Sequence, residues 1–276
     1  MSSPFSKPAY LEKFGLKEAP YTTNPDERYL YLTDNHKEAI NTCGHIITNR
    51  TGAGLIIGEH GTGKTTLMRR IASLMRSDQN FRVAVIETAE HSPTIFQLTK
   101  EILDSFEAPC HGRDTKSRVE SLKKFLLESF RNQQTLVLLI DEAQEIPARL
   151  LESLRGFLNF EDPRHGKMLQ IILFAMPKIN KRLPYAPSFR NRLVTTTLHK
   201  MNRQDIENML RWRFTQAGSK APFPFEIDAM NRLFEISKGN PRTVCGIAQL
   251  ALEVSAARNE PITPTVVEEV SKRRYV

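Results

Sequence analysis

The stretch Gly58-Glu59-His60-Gly61-Thr62-Gly63-Lys64-Thr65-Thr66 constrains this chain more than any other. It fits the phosphate-binding pattern G-x-x-x-x-G-K-[ST] in full. The apolar run Leu55-Ile56-Ile57 precedes it and reads as a short buried strand, and Leu67, Met68, Ile71, Leu74 and Met75 follow at helical spacing. A strand-to-helix junction is therefore expected here, the context that this chemistry needs. Gly58, Gly61 and Gly63 free the backbone to turn successive N–H groups inward onto a polyphosphate. The helix that starts there adds its positive end. Lys64 is placed to reach the β- and γ-phosphates and the Thr65 hydroxyl to sit on Mg²⁺, with Thr62 and Thr66 in the same binding set. ATP and Mg²⁺ are the expected cofactors.

A second feature supplies acids. The run Leu136-Val137-Leu138-Leu139-Ile140 ends in Asp141-Glu142. An unbroken apolar run suits a strand buried on both faces of a parallel sheet. Ligands in such sheets bind beyond the carboxyl ends of the strands, where these two acids fall. Asp141 would hold Mg²⁺, directly or through water, and Glu142 would orient and deprotonate an attacking water. The plainer alternative is a pair of acids at a helix N-terminus.

Around these motifs, strands and helices alternate. Asp34 caps a helix to about Asn49. Arg82–Thr88 reads as a second strand, and Ser92-Pro93 opens a helix with proline at its first position. Ser117-Arg118-Val119-Glu120 has the capping-box form and starts a helix to about Arg131. Pro147–Phe160 reads as a helix, Met168–Ala175 as a fourth strand, Ser188–Leu193 as a basic helical segment and Val194–His199 as a fifth strand. Beyond Lys200 only helices are predicted: Asn202–Ala217, Glu226–Lys238, Pro241–Asn259 and Pro264–Arg274. The domains expected are a Pro- and aromatic-rich strap over 1–35 packed on the core, an α/β core over 36–200 and a helical part over 201–276.

Composition sets outer bounds. Hydrophobic residues at 40% and charged residues at 25% are ordinary for a globular protein. No apolar run approaches the roughly 18 residues that a membrane span needs, and the N-terminus lacks the apolar centre of a secretory signal. Cys43, Cys110 and Cys245 show neither metal-ligand spacing nor an even disulfide set. A cytoplasmic protein with no membrane partner is expected. The net charge of +8 invites polyanions, and ten Lys or Arg against two acids lie between Lys178 and Lys220. A solvated basic face is the competing reading of that stretch.

The phosphate loop, the strand LVLLIDEAQ at 136–144, SFRNRL at 188–193 and GNPR at 239–242 fall in the order seen in AAA+ ATPases, which this chain resembles along nearly its whole length. The opening, YLEKFGLKEAPY followed by NPDERYLYLTDNHKEAI, resembles the AAA+ group that contains the ExeA/GspA secretion ATPases and the TnsC/TniB transposition regulators. The resemblance implies a three-layer core with a parallel five-stranded sheet in the order 5-1-4-3-2 and a small C-terminal helical lid. It also implies ATP bound between neighbouring subunits of a homo-oligomer. By position Arg192, with Arg190 second, matches the arginine that completes the neighbour's site, and Arg242 matches the lid arginine that contacts nucleotide in its own subunit. One departure stands out. Members of the ExeA-like group commonly end the fourth strand in Gly-Gln-Pro, whereas this chain has Ala175-Met176-Pro177, and a methionine does not hydrogen-bond water or phosphate in the same way. Slow, switch-like hydrolysis, or sensing by another residue, is expected.

Three functions compete. A metabolic P-loop enzyme would need an acceptor pocket that the sequence does not display. An ExeA-type secretion ATPase would continue into a membrane segment and a peptidoglycan-binding part, and the 276 residues hold neither. A transposition regulator fits the basic balance. It would form a hexamer-like ring or helical filament on double-stranded DNA with ATP and recruit a transposase alongside a target-selecting adaptor. In related regulators the DNA contacts lie in the loop after strand two and in the loop between the next two helices, here His111–Arg118. Arg113, Lys116 and Arg118 would pair with phosphates and Thr115 would donate to one, with Arg149 as a further candidate. No aromatic platform accompanies them, so backbone tracking without base readout is expected.

Overall fold

Strands with no polar side must be covered on both faces, and the helical segments between them provide that cover. The computed structural model of the protein describes residues 8–87 and 94–274. Along the chain these form α1 (Ala9–Lys13), α2 (Asp34–Thr48), β1 (Ala53–Gly58), α3 (Lys64–Arg76), β2 (Phe81–Ile86), α4 (Ile95–Ser105), α5 (Thr115–Arg131) and β3 (Thr135–Ile140). There follow α6 (Ala148–Phe157), β4 (Leu169–Ala175), α7 (Pro187–Arg190), β5 (Leu193–Leu198), α8 (Arg203–Gln216), α9 (Ile227–Ser237), α10 (Pro241–Arg258) and α11 (Pro264–Arg274). A two-residue ladder, Glu161–Asp162 against Gly166–Lys167, precedes β4.

The described residues fall into two units. The first, residues 34–60 and 64–198, is the α/β unit. Its five strands are parallel in the order β2-β3-β4-β1-β5, the expected 5-1-4-3-2 read from the other edge. Every residue of β1 and β4 is buried. At the edge, β5 buries only Thr196 and Leu198, and the Thr196 hydroxyl lies 3.0 Å from that of Thr42 on α2. Helix α2 comes close to β1 because Gly54 has no side chain; a Cβ there would lie 2.5 Å from the Ile46 Cδ1. Register sets Ile57 opposite Ala175, and Ile140 opposite both Ile86 and Leu173. The ends of β1, β3 and β4 therefore bring Gly58, Asp141 and Met176 to one edge of the sheet.

Helix starts differ from the sequence reading. Helix α5 begins before the Ser117 capping box, because Asp114 accepts from the Ser117 N–H at 3.0 Å and from its hydroxyl at 2.6 Å. A carboxylate suits the positive end of a helix, and Asp114 adds a further stretch of helix ahead of Ser117. The Ser92-Pro93 helix start and the Thr88 strand end lie outside the described residues; α4 is capped by Thr94, whose hydroxyl accepts from the Gln97 N–H at 3.3 Å.

The second unit comprises residues 8–33, 61–63 and 199–274. The strap expected on the α/β core packs instead among the C-terminal helices. Tyr10, Leu11, Phe14, Leu16, Tyr21 and Tyr29 share one apolar cluster with residues of α8 to α11, including Leu210, Phe214, Ala248 and Val267. Short helices with a single apolar side leave a face open, and the strap aromatics close it. Phe14 stands edge-on to Phe214 at 6.0 Å. The Tyr21 hydroxyl donates to the Leu210 carbonyl at 3.2 Å, and the Ser219 hydroxyl to the Phe14 carbonyl at 2.6 Å. Cys43 and Cys245 are buried, and Cys110 is half-buried. Among the described residues no helix is long and apolar enough to cross a membrane.

Candidate nucleotide site

The phosphate loop runs from Gly58, the last residue of β1, to Lys64, the first of α3. Gly61 and Gly63 have φ of +80° and +95°, a region that a Cβ disfavours, so the motif's spacing is enforced by backbone geometry. Gly58 is not among the glycines of positive φ; it closes the strand, and its carbonyl accepts from the Lys64 Nζ at 2.9 Å. The same Nζ donates to the Glu59 carbonyl at 3.1 Å. Burial lowers the pKa of Lys64, and the nearby Glu142 and Asp141 partly offset it. An ammonium held against two carbonyls of a glycine-rich strand-to-helix loop suits a polyphosphate chemically. Thr62 is buried in the same loop, and Thr66 is half-buried in the first turn of α3.

The Thr65 Oγ1 donates to the Asp141 Oδ2 at 2.5 Å. Asp141 is 3% exposed, and burial pushes its carboxyl above the ordinary range against hydrogen bonds from Thr65 and from the Glu142 N–H. Two hard oxygen ligands meeting at a phosphate loop fit Mg²⁺, which takes few protein ligands and draws the rest from phosphate and water. No group of three His, Cys, Asp or Glu that could hold a metal ion converges among the described residues.

Glu142 has φ of +47°, an unusual conformation for a side-chain-bearing residue, and its N–H is held by the Asp141 Oδ1 at 2.9 Å. Its carboxylate accepts a short hydrogen bond from the Gln144 Nε2. Gln144, 2% exposed, accepts at its Oε1 from the Met176 N–H at 2.8 Å. Arg182 braces the same turn, donating to the carbonyls of Glu145 and Ile146 at 2.8 and 2.7 Å. Sequence reasoning missed Gln144 and Arg182. The Met176 partner of Gln144 and both carbonyl partners of Arg182 lie more than thirty residues away in the chain, and the one local signal was an amide two residues after the acids.

The arginines sit apart from this group in sequence. Arg190 ends α7 and is exposed. Arg192 is half-buried and donates to the Asn159 Oδ1 at 3.0 Å, while the Phe189 N–H donates to the Glu152 Oε2 at 3.2 Å and ties α7 to α6. Arg242 lies exposed in the first turn of α10. Within its unit, a Cβ built on Gly61 would lie 2.6 Å from the Asn240 Oδ1 and 2.9 Å from the Arg242 Cβ. Of the residues expected to meet DNA, Arg113, Lys116 and Arg149 are exposed and Thr115 opens α5. Arg118 is committed within the fold: its guanidinium lies 3.4 Å over the Phe96 ring and donates to the Phe96 carbonyl at 3.1 Å. The loop after strand two, at 88–93, lies outside the described residues.

Residues 47–183 match the AAA domain family. General secretion pathway protein A of Aeromonas hydrophila is 30% identical over 255 residues, which cover 90% of this chain and 45% of that protein. The chain thus spans less than half the length of this relative. Among solved structures, Cdc6p from Pyrobaculum aerophilum aligns with a TM-score of 0.69 at 16% identity, over 92% of this chain and 70% of that one. The Aeropyrum pernix ORC1 protein, solved in complex with DNA, aligns with a TM-score of 0.66 at 16% identity, over 93% and 69%. The fold is that of AAA+ P-loop NTPases, and the chain carries an AAA-type domain similar in sequence to part of the secretion protein.

Proposed function

We propose that the protein is an ATP-driven switch that assembles on double-stranded DNA, as a transposition regulator of the TnsC/TniB kind does. The observation that carries the ATPase part is the Thr65–Asp141 pair at the carboxyl edge of the sheet, with Glu142 one residue on. Lys64 and the loop N–H groups bind phosphates, and Thr65 with Asp141 would hold Mg²⁺, which supplies counter-charge for the phosphates. Glu142 accepts the proton of a water in line with the γ-phosphate. Arg192 of a neighbouring copy, or Arg190, stabilises charge that develops there, and Arg242 contacts nucleotide in its own subunit. A ring or filament follows from a site that two copies share.

The DNA part is supported by the exposed Arg113 and Lys116, by the basic balance and by a fold neighbour solved with DNA. Transposase and a target-selecting adaptor are the partners in this reading. The likeness to General secretion pathway protein A favours a second reading, an ATPase serving secretion or envelope assembly. Negative-stain microscopy with random duplex DNA separates the two. Rings or filaments with a slowly hydrolysed ATP analogue and none with ADP support the first. Lys64→Ala should abolish these assemblies and Glu142→Gln should prolong them. Absence of DNA binding in both nucleotide states moves the assignment to the second reading.

A further inference from the structure

The fourth strand is followed by Met176, a side chain unable to bond a water or a phosphate oxygen as an amide does, and the fold contains a compensating contact. We propose that Gln144 is the positioning residue for Glu142. In this role it links the backbone at the end of β4 to the carboxylate that takes the proton.

Gln144 has one amide with two different ends, and each is used once. Its Oε1 accepts from the Met176 N–H at 2.8 Å, and its Nε2 donates to the Glu142 Oε2. At 2% exposure it has little water to replace either partner. The Met176 N–H can only donate, so it fixes which end of the amide faces β4. The end left over is a donor, and the carboxylate of Glu142 is therefore met by N–H and not by a second oxygen. Glu142 needs such a partner. Its left-handed backbone is set by Asp141 and by the tight turn that follows, whereas its side chain is only half-buried. A carboxylate free to rotate would spend part of its time away from the water it must deprotonate. The β4 side of the bridge is braced in turn: the segment after β4 returns Arg182 to the carbonyls of Glu145 and Ile146, immediately beyond Gln144. The contact at position 176 uses the main chain alone, and this explains how a methionine can follow the strand.

The inference rests on the ATPase reading above, and the test keeps the two apart. ADP affinity and the kcat and KM for ATP are measured on the full chain for wild type, Gln144→Met and Gln144→Glu. Met removes both hydrogen bonds. Glu keeps the acceptor for the Met176 N–H but turns an oxygen toward Glu142. Both variants should bind ADP within about two-fold of wild type, with kcat lower by roughly ten- to a hundred-fold and KM little changed. Gln144→Glu should be no faster than Gln144→Met. If Gln144→Glu turned over at the wild-type rate, the donor to Glu142 would have no role and the inference would fail. Parallel loss of ADP affinity and kcat in both variants would also overturn it, since that pattern reports general damage to the loop. A wild type that turned over no ATP, with or without duplex DNA, would remove the ATPase reading and this inference with it.

Discussion

The ligand role proposed for Asp141 puts a carboxylate at the end of β3, although the interior there disfavours a charge. Burial holds its carboxyl above the unfolded value of about 3.9, so the folded state keeps the proton to higher pH than the unfolded chain does. Stability present below that value is accordingly lost as pH rises through the folded pKa, and at neutral pH the buried carboxylate is a net burden. Asp141→Asn should raise the Tm of the nucleotide-free protein by a few degrees near neutral pH, with the gain shrinking as the pH falls toward about 4. Thermal melts across that range check it; a Tm lowered equally at every pH would show that the carboxylate stabilises the loop instead. The same variant should abolish ATP hydrolysis. The candidate residues of the loop and of the β3 end, Lys64, Thr65, Asp141 and Glu142, were legible in the sequence because the chemistry proposed for them demands contiguous spacing. Gln144 was not, since its bond to position 176 spans 32 residues and depends on the strand order.

At the scale of elements, the clearest revision concerns α4 and α5. Arg118 was expected to face a DNA phosphate, and in the fold its guanidinium lies over the Phe96 ring and donates to the Phe96 carbonyl, joining the two helices. Arg118→Ala should therefore destabilise the α/β unit by about 1–2 kcal/mol in chemical denaturation. Arg113→Ala and Lys116→Ala should leave stability within about 0.5 kcal/mol of wild type and weaken DNA binding, with a shallower salt dependence for each charge removed. An unchanged midpoint for Arg118→Ala would contradict the first expectation. The strands were readable because a parallel sheet leaves continuous apolar runs. Helix starts were less so. A Ser-x-x-Glu pattern and an Asp a few residues upstream compete for the same N-terminus, and only the folded backbone shows that Asp114 takes it.

For the whole molecule, the sheet order follows from the family resemblance, whereas the partner of the strap does not. Aromatics in a Pro-rich segment reveal that it packs but not on what, because neither face of the chain is distinguishable before the helices meet. Phe14→Ala should cost about 3–5 kcal/mol and unfold the helical unit ahead of the α/β unit, visible as a split melting transition. A single transition shifted as a whole would show the two units unfolding together. The basic stretch from Lys178 to Lys220 is also less uniform than its composition suggests. Lys178 and Arg182 pair with Glu145, and Arg203 and Arg211 share Glu207, so Lys181, Arg190, Lys200 and Lys220 are the exposed charges of that stretch with no ion pair among the described residues. The reading of the chain as a nucleotide switch stands on Glu142. The direct measurement is ATP binding and single-turnover hydrolysis, with duplex DNA present, for wild type and Glu142→Gln. Both proteins should bind ATP with affinities within about three-fold, and the variant should hydrolyse it at least about a hundred-fold more slowly. Equal rates for the two proteins, or a wild type that binds no ATP, would contradict it.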